Sequence, residues 1–345
     1  MEKIEKIFYI FLRKKRWKIK LYKLLIAARG IPFFEKIYQY KNRERRISLG
    51  SENPDKTFYI IRRASEIEGI CSMLNSVMGH LAVAEKNRYI PIIDMQTCYN
   101  GLWQPIERKK RENAWEYYFK QPAGYSLRDI LKSKNIILSN SSDAPTLPSH
   151  ISIYKKKKEI EMWNNIFNKY IHLKPQIEKN INDNWEKMNL SNEKVMGICL
   201  RMGIMHASLK GSTLFSTYAK PVALDQMIKK TELFMKKWNC TKVFLVIDDV
   251  ESAEKFREYF EDKLILLKRN RAHYFENGLP LDKAYRESEF TGKVILSDNI
   301  DYMKEIIFLS RCNCIVSAKT SGTATAYVIN GNRFENDLIV EGDIL

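Results

Sequence analysis

The chain has 345 residues, of which 45% are apolar and 29% charged, a composition that excludes global disorder and has room for two domains of ordinary size. Lysine and arginine total 58 against 41 for aspartate and glutamate, and the net charge of +17 favours a polyanionic partner: nucleic acid, an anionic membrane surface or a phosphorylated substrate. Compositional bias is the other explanation of this charge. The six cysteines form no Cys-x-x-Cys pair and no histidine stands at a zinc spacing from them, so they predict buried thiols in a reducing cytosol and no metal site.

The first thirty residues predict a basic amphipathic helix. Apolar side chains recur at helical spacing from residue 4 to residue 25, with lysines and arginines between them. Such a helix can lie in the headgroup layer of an anionic membrane, or it can pack on the protein with its basic face in solvent. The polar stretch 41–56 predicts a linker, so residues 1–50 are assigned to helix and linker. No apolar run reaches the roughly 20 residues that span a bilayer and no uncharged signal-peptide core is present, so we expect a cytoplasmic protein, peripheral at the inner membrane face if the helix binds lipid.

Residues 51–154 predict a Rossmann-like domain. Predicted strands at 58–61 and 89–94 flank a predicted helix at 73–87, which is the strand–helix–strand order of a parallel sheet, and another strand is predicted at 134–139. No Gly-x-Gly-x-x-Gly motif follows the first strand, so no dinucleotide site is predicted here.

Residues 155–190 are charged and helical and predict a connector between two domains. Residues 191–345 predict a second Rossmann-like domain. Its predicted strands are 195–200, 242–247, 264–267 and 314–317, and its predicted helices are 222–238, 253–260 and 302–312.

Polar groups follow three strands of the second domain: Arg201, then Asp248 with Asp249, then the hydroxyl cluster 320–323. The carboxyl ends of parallel strands meet at one edge of a sheet, where open α/β sheets bind ligands. Arg201 could bind phosphate oxygens there, and the helix start after residue 320 would also suit a phosphate. The alternative is that Arg201 pairs with Asp248 or Asp249 to hold the loops together.

Several segments resemble motifs of known glycosyltransferases. Those at 198–201, 243–249 and 308–317, the last followed by Thr320 and Ser321, resemble motifs of the α1,6-fucosyltransferase superfamily. The segment 68–80, with the predicted strand 89–94 after it, resembles the amino-terminal motif of related bacterial cell-surface polysaccharide proteins. The resemblance covers roughly residues 57–335, and its strength lies in the order and spacing of the motifs.

The resemblance implies an α/β protein of GT-B type, with two facing Rossmann-like domains and the donor on the carboxyl-terminal one. The family is metal-independent and inverting, and it takes a GDP-sugar, typically GDP-fucose, as substrate, so neither metal nor cofactor is expected. Arg201 would supply a cation to the leaving diphosphate and Ser321 a hydroxyl to a phosphate. The implied donor-binding residues are Arg201, Asp248, Asp249, Glu305, Thr320, Ser321, Gly322 and Thr323.

Two of these assignments have structural alternatives. Glu305 stands where the family places an acid that accepts hydrogen bonds from guanine, and a carboxylate suits that role. An exposed carboxylate on a helix is the alternative. Asp248 and Asp249 would hold the nucleotide sugar or organise a loop, and a purely structural role is equally open.

The chain also departs from the family pattern. The paired arginine of the family becomes Arg201 followed by Met202, so one cation is lost, and Cys199 stands in place of a histidine. The acid expected beyond the arginines falls at Ile204 or Met205, neither of which can accept a proton. These departures leave the catalytic base and the sugar open.

Four further residues are candidates on chemical grounds. His206 is the nearest group that can take a proton from an acceptor hydroxyl, so Arg201 and His206 are the predicted catalytic pair, and Lys210 could replace the lost cation. Asn75 and His80, in the first domain, are predicted on the acceptor side. A local structural role for His206 and a core position for His80 are the alternatives.

The function that these observations favour is transfer of a sugar, expected to be fucose from GDP-fucose, to a glycan or lipid-linked glycan of bacterial surface polysaccharide such as capsule or lipopolysaccharide. The expected partners are the nucleotide sugar, the acceptor and an anionic membrane surface. A relative with impaired catalysis that acts as a binding or scaffold subunit is one alternative. A basic nucleic-acid-binding protein is another, but no recognisable nucleic-acid module supports it.

Overall fold

The computed structural model describes residues 40, 42–65, 68–96, 100, 102, 113–200, 224–271 and 292–340. The predicted amphipathic helix, at residues 1–30, lies outside this part of the chain. The described residues divide between two compact units, whose ranges are 1–147, 165–175 and 291–296 for the first and 148–164, 176–290 and 297–345 for the second. Neither described unit contains a helix long and apolar enough to cross a membrane.

Strands and helices are mixed along the chain and alternate from β5 onward, which confirms the predicted mixed α/β fold. The strands are β1 (Arg45–Ile47), β2 (Glu52–Arg62), β3 (Ile90–Asp94), β4 (Ser133–Leu138), β5 (Val195–Cys199), β6 (Lys242–Val246), β7 (Leu264–Ile265), β8 (Cys314–Ser317) and β9 (Asn336–Ile339). The helices are α1 (Ile70–Lys86), α2 (Lys157–Tyr170), α3 (Pro175–Lys187), α4 (Leu224–Trp238), α5 (Val250–Phe260), α6 (Gly292–Arg311) and α7 (Ser321–Asn330). Short 3₁₀ helices occur at Ala114–Tyr117, Ile153–Lys155 and Glu261–Lys263.

The sheet of the first unit has the strand order β1-β4-β2-β3. Its strands β4, β2 and β3 are parallel, and β1 pairs antiparallel with β4. Phe58 and Ile60 pack on one face with Ile136 and Leu138 of the neighbouring strand. Tyr59, on the opposite face, contacts His80 of α1. Alternate residues of β2 therefore pack on opposite faces of the sheet, as the two-residue period of a strand requires.

The predicted linker at 41–56 is wrong, because this stretch supplies β1 and the beginning of β2. Only one of the three residues of β1, Ile47, is buried. Short charged strands of this kind are common at sheet edges, where charge discourages pairing with other chains. A linker and such an edge strand have the same composition, so the sequence pattern could not separate them.

The stretch 155–190, predicted to be helical, contains two helices, α2 and α3. Pro175 is the first residue of α3, a position that proline favours because the missing N–H has no intrahelical acceptor there.

The sheet of the second unit has the order β7-β6-β5-β8-β9, and all its strand pairs are parallel. Met196 and Ile198 of β5 belong to a core cluster with side chains of α4 and α5, among them Met227 and Phe256. Gly197, between them, faces the other way, so that a Cβ added there would overlap Leu309 of α6. Helices therefore cover both faces of this sheet, as in doubly wound α/β folds.

Candidate functional site

The carboxyl ends of three adjacent strands form one edge of the second sheet. Cys199, the last residue of β5, pairs with Val246 of β6 on one side and with Ser317 of β8 on the other. The prediction that these strand ends lie side by side is confirmed. The chain after β6 enters α5, and the chain after β8 enters α7. Two helix N-termini therefore lie at this edge, and helix N-termini favour negative charge.

A network of buried hydroxyl groups forms the start of α7. Thr320 is the N-cap, and its Oγ1 accepts a hydrogen bond from the Thr323 backbone N–H at 3.0 Å. Thr323 Oγ1 donates to the Ala318 carbonyl oxygen at 2.7 Å and lies 2.7 Å from Ser317 Oγ, which donates to the Cys199 carbonyl oxygen at 2.9 Å. Thr320 and Thr323 therefore bind the helix start to the strand ends. The two threonines are buried, and their hydroxyls bond to groups of the protein at the edge of the candidate site.

The other two predicted residues of this cluster differ from the threonines. Ser321 is the first residue of α7 and is half-buried. Gly322 is buried, and a Cβ there would overlap the Tyr302 hydroxyl oxygen and approach Ile306 Cδ1. Gly322 therefore permits close packing between α7 and α6, and Ser321 is the one residue of this cluster that is not fully buried.

Lys319 brings a positive charge to the same helix start. It immediately precedes the N-cap, and its Nζ lies 5.7 Å from the centre of the Tyr154 ring. Burial lowers the pKa of His150, and the charge of Lys319 lowers it further. Lys319 was not among the residues predicted from the sequence, although its place directly before the hydroxyl cluster could have indicated it.

Asp249 caps α5. Its Oδ1 accepts from the Ser252 backbone N–H at 2.7 Å, and the residue is 1% exposed. Burial raises the pKa of the Asp249 carboxyl group, against the lowering effect of the Ser252 hydrogen bonds. Asp249 therefore has a structural role as the N-cap of α5. Asp248, beside it, is half-buried.

Glu305, on α6, binds two arginines that follow β7. Its Oε2 accepts from Arg269 Nε at 2.8 Å and its Oε1 from Arg271 Nη2 at 2.9 Å. The Glu305 side chain is 0% exposed and each arginine side chain 8%. The alternative that Glu305 is an exposed helix carboxylate is therefore wrong. Its acceptance of hydrogen bonds from guanine stays a prediction, and both of its oxygens already have guanidinium donors.

The same two arginines bind the end of β6. Arg269 Nη2 donates to the Ile247 carbonyl oxygen at 2.6 Å, and Arg271 Nε donates to the same oxygen at 3.3 Å. Arg271 Nη1 donates to the Leu267 carbonyl oxygen at 3.0 Å. Burial raises the pKa of Glu305 to about 7, whereas the two guanidinium groups oppose that rise. The cluster of Glu305, Arg269 and Arg271, here named the arginine clamp, joins α6, the β6 end and the segment after β7.

Neither arginine of the clamp was among the residues predicted from the sequence. The predicted strand 264–267 is followed by Lys-Arg-Asn-Arg at 268–271. The rule that selected Arg201, a polar residue directly after a buried strand, applies equally to these positions. In the structure the strand is only Leu264–Ile265, and the segment after it reaches the carboxyl edge of β6.

Cys199, which stands where the resembling family has a histidine, is buried. Its Sγ lies 3.7 Å from Thr320 Oγ1, and burial raises the pKa of the thiol. A neutral buried thiol does not serve as a proton acceptor. Arg201, His206 and Lys210 all lie outside the described residues.

The predicted acceptor-side residues are both buried on α1 in the first unit. His80 is 1% exposed, and its Nδ1 lies 2.9 Å from the Tyr59 hydroxyl oxygen. Burial, with smaller contributions from Arg63 and Arg62, lowers the pKa of His80 to about 4. This geometry favours the alternative of a neutral core histidine. Asn75 is buried on the same helix.

No group of three or more histidine, cysteine, aspartate or glutamate side chains in the described residues could hold a metal ion. The second sheet, with helices on both faces and polar groups at its carboxyl edge, is a Rossmann-like α/β architecture.

The chain is similar to solved structures of fucosyltransferases. NodZ α-1,6-fucosyltransferase co-crystallised with GDP matches at 13% identity over 84% of this chain and 95% of that chain, with a TM-score of 0.46. NodZ from Bradyrhizobium matches at 12% identity over 79% and 92%, with a TM-score of 0.44. The apo form of POFUT1 matches at 10% identity over 85% and 100%, with a TM-score of 0.46. No protein-family model and no curated protein sequence matches the chain.

Proposed function

We propose that the chain is a metal-independent, inverting glycosyltransferase that moves fucose from GDP-fucose to a glycan or lipid-linked glycan intermediate of bacterial surface polysaccharide. The observation that carries this proposal is the carboxyl edge of the second sheet. There the capped starts of α5 and α7 and the arginine clamp meet the ends of β5, β6 and β8. Dipoles and cations of this kind suit a nucleoside diphosphate.

The leaving diphosphate needs charge stabilisation that does not depend on a metal ion. We assign this role to Arg201, to the start of α7 and to Lys319, which precedes its N-cap. Ser321 would donate its hydroxyl to a phosphate oxygen. Thr320 and Thr323 would act indirectly, because their hydroxyls fix the helix start to the strand ends.

The proton from the acceptor hydroxyl would pass to His206. Its role rests on chemistry alone, as no other histidine stands near Arg201 in sequence. His80 is a poor candidate for the base, because the burial that lowers its pKa also hides it from an acceptor. Asn75 and His80 would then support the first unit rather than touch the acceptor.

A relative that binds the donor without turnover is the second candidate. The specific observation in its favour is Cys199, a buried thiol with a raised pKa at the position where the resembling family has a histidine. Met202, in place of a second arginine, supports the same interpretation. Such a protein would bind a nucleotide sugar and would release no GDP.

The experiment that separates these proposals is a thermal-shift panel of GDP-, UDP- and CMP-sugars in EDTA, followed by measurement of GDP release. A ligand that binds only the folded state raises the melting temperature. GDP-fucose should raise it most and should be turned over with an acceptor. Arg201→Ala should abolish turnover with the fold intact, and Lys179→Ala, an exposed change on α3, should not. A shift without turnover favours the binding subunit, and no shift by any of these sugars contradicts both.

The membrane association is tested separately. We propose that residues 1–30 hold the protein at the inner face of the membrane through anionic lipids. Deletion of these residues should move the protein from the membrane fraction to the soluble fraction. Unchanged partition would contradict the proposal.

A further inference from the structure

Four consecutive lysines form an exposed basic run at the start of α2. They occupy positions 155–158, all four are exposed, and the last two belong to the helix itself. Positive charge at a helix N-terminus is unfavourable, because the helix dipole is positive there. Glu159 offsets part of the charge, since its Oε1 lies 2.7 Å from Lys156 Nζ. The run therefore opposes the local preference of the helix, which points to a role other than folding.

Exposed apolar side chains flank the lysines on both sides. Ile151, before them, is 50% exposed, and Met162, after them, is 45% exposed. Met162 follows Lys158 by four residues on α2, so these two side chains lie on the same face of the helix. The other side of the helix packs on the protein, since Ile160 and Trp163 are buried. Ile151, the four lysines and Met162 are here named the lysine surface.

The lysine surface adjoins the candidate donor site. Backbone hydrogen bonds of 2.9 to 3.2 Å wind residues 149–155 into helical turns, which keeps Ile151 close to the lysines. The centre of the Tyr154 ring lies 5.6 Å from Lys155 Nζ and 5.7 Å from Lys319 Nζ. Lys319 immediately precedes the N-cap of α7. One aromatic ring therefore connects the lysine surface with the start of α7.

We propose that the lysine surface docks on an anionic lipid bilayer, with the lysines at the lipid phosphates and Ile151 and Met162 at the boundary with the acyl chains. Binding to such a bilayer surface combines lysine charge with neighbouring exposed apolar side chains. A nucleic acid would use the charge but would leave both apolar side chains in water. The two features together therefore favour the bilayer.

Docking there would bring the start of α7 close to the membrane, where a lipid-linked acceptor lies. This consequence rests on the proposed function. The docking itself does not, because it concerns where the protein binds and not what it transfers. The lysine surface is also separate in sequence from residues 1–30, for which membrane binding is proposed above.

The test is sedimentation of the full chain with lipid vesicles. Phosphatidylcholine vesicles with about one third phosphatidylglycerol supply the anionic surface, and pure phosphatidylcholine is the comparison. Replacement of all four lysines by glutamine should lower the partition coefficient on the anionic vesicles at least about tenfold, since each lysine near such a surface contributes about fivefold.

The matched control removes the same number of charges from exposed lysines elsewhere. It combines Lys86→Gln, Lys134→Gln, Lys179→Gln and Lys229→Gln. It should lower the partition coefficient less than about threefold, because charges farther than about 8 Å from the lipid phosphates are screened. Residues 1–30 are present in every protein compared, so a difference between the two variants belongs to the lysine surface.

A second comparison tests the apolar contact. Ile151→Ser combined with Met162→Ser should lower the partition coefficient about tenfold, because two apolar side chains no longer enter the bilayer boundary. Leu233→Ser, at an exposed leucine of α4, should leave the coefficient unchanged.

The outcomes separate the inference from the proposed function. Equal losses for the lysine variant and its control, or no loss for the serine variant, would overturn the docking and leave sugar transfer standing. Binding of duplex DNA through the four lysines, without binding to vesicles, would overturn it too and assign the surface to nucleic acid. Thermal unfolding verifies the fold of each variant. The four-glutamine protein should melt no lower than the unchanged one, because it loses charge that opposes the helix dipole.

Discussion

Arg269 Nε donates a hydrogen bond to Glu305 Oε2 at 2.8 Å, and the two side chains are 8% and 0% exposed. This contact joins the segment after β7 to α6. Neither charge has enough water around it to be stable alone, so each depends on the other.

Removal of the carboxylate should therefore be costly. Glu305→Ala leaves two buried guanidinium groups without a counter-charge, and we expect a loss of about 3–5 kcal/mol in the free energy of unfolding. Urea unfolding measures it. Asp183→Ala, which breaks the exposed Lys179–Asp183 pair, should cost less than about 1 kcal/mol. Equal losses in the free energy of unfolding for Glu305→Ala and Asp183→Ala would show that the buried clamp stabilises the protein no more than an exposed ion pair does.

The N-cap of α7 should matter for stability and for the donor. Thr320→Val removes the oxygen that accepts from the Thr323 N–H, at a cost of about 1 kcal/mol. Because the cap fixes the proposed diphosphate site, affinity for GDP should fall as well. Thr320→Ser keeps the oxygen and should keep both properties. If Thr320→Val bound GDP with wild-type affinity, the start of α7 would not contribute to donor binding.

Gly322 should not tolerate even one methyl group. A Cβ there would overlap the Tyr302 hydroxyl oxygen, so Gly322→Ala should destabilise the protein by about 1–3 kcal/mol despite the better helix propensity of alanine. Gly69→Ala is the control, since a Cβ at Gly69 meets nothing within 4 Å. Its cost, from a poorer N-cap residue alone, should stay below about 1 kcal/mol. Thermal unfolding of both variants compares them, and a more stable Gly322→Ala protein would contradict the packing described here.

His80 should make the protein sensitive to acid. Its pKa is lowered to about 4 from 6.5, so the folded state binds fewer protons than the unfolded state between these values. Stability from this residue is complete above pH 6.5 and is lost as the pH falls towards 4, by up to about 3 kcal/mol.

The measurement is the free energy of unfolding as a function of pH. His80→Gln should flatten the curve between pH 6.5 and 4, whatever its overall effect on stability. A curve for His80→Gln that is parallel to that of the wild type would show that His80 does not titrate as described.

The regular parts of the fold could be predicted because burial and local pattern agree there. The apolar runs of β5, β6 and β8 have the length and composition of buried parallel strands, and their carboxyl ends lie side by side as the rule for such sheets requires. β1 could not be predicted, since a short charged edge strand has no pattern of its own. β9 was missed for a related reason: only part of Asn336–Ile339 is apolar, and no residue of it is fully buried.

The candidate site was predicted less completely than the fold. The resemblance selected Glu305 but not its partners, because ion pairs between residues 34 and 36 positions apart leave no local signal. The hydroxyls of Thr320 and Thr323 were expected to face a ligand, and the structure directs them to the strand ends. Residue type alone does not show whether a hydroxyl group binds a ligand itself or only holds in place the part of the protein that binds it.

The most direct test of the central claim is calorimetric titration of the full chain with GDP in the presence of EDTA. The account predicts saturable binding without divalent metal, weakened in Thr320→Val and unchanged in Lys179→Ala. Absence of binding, or binding that needs a divalent metal ion, would contradict it.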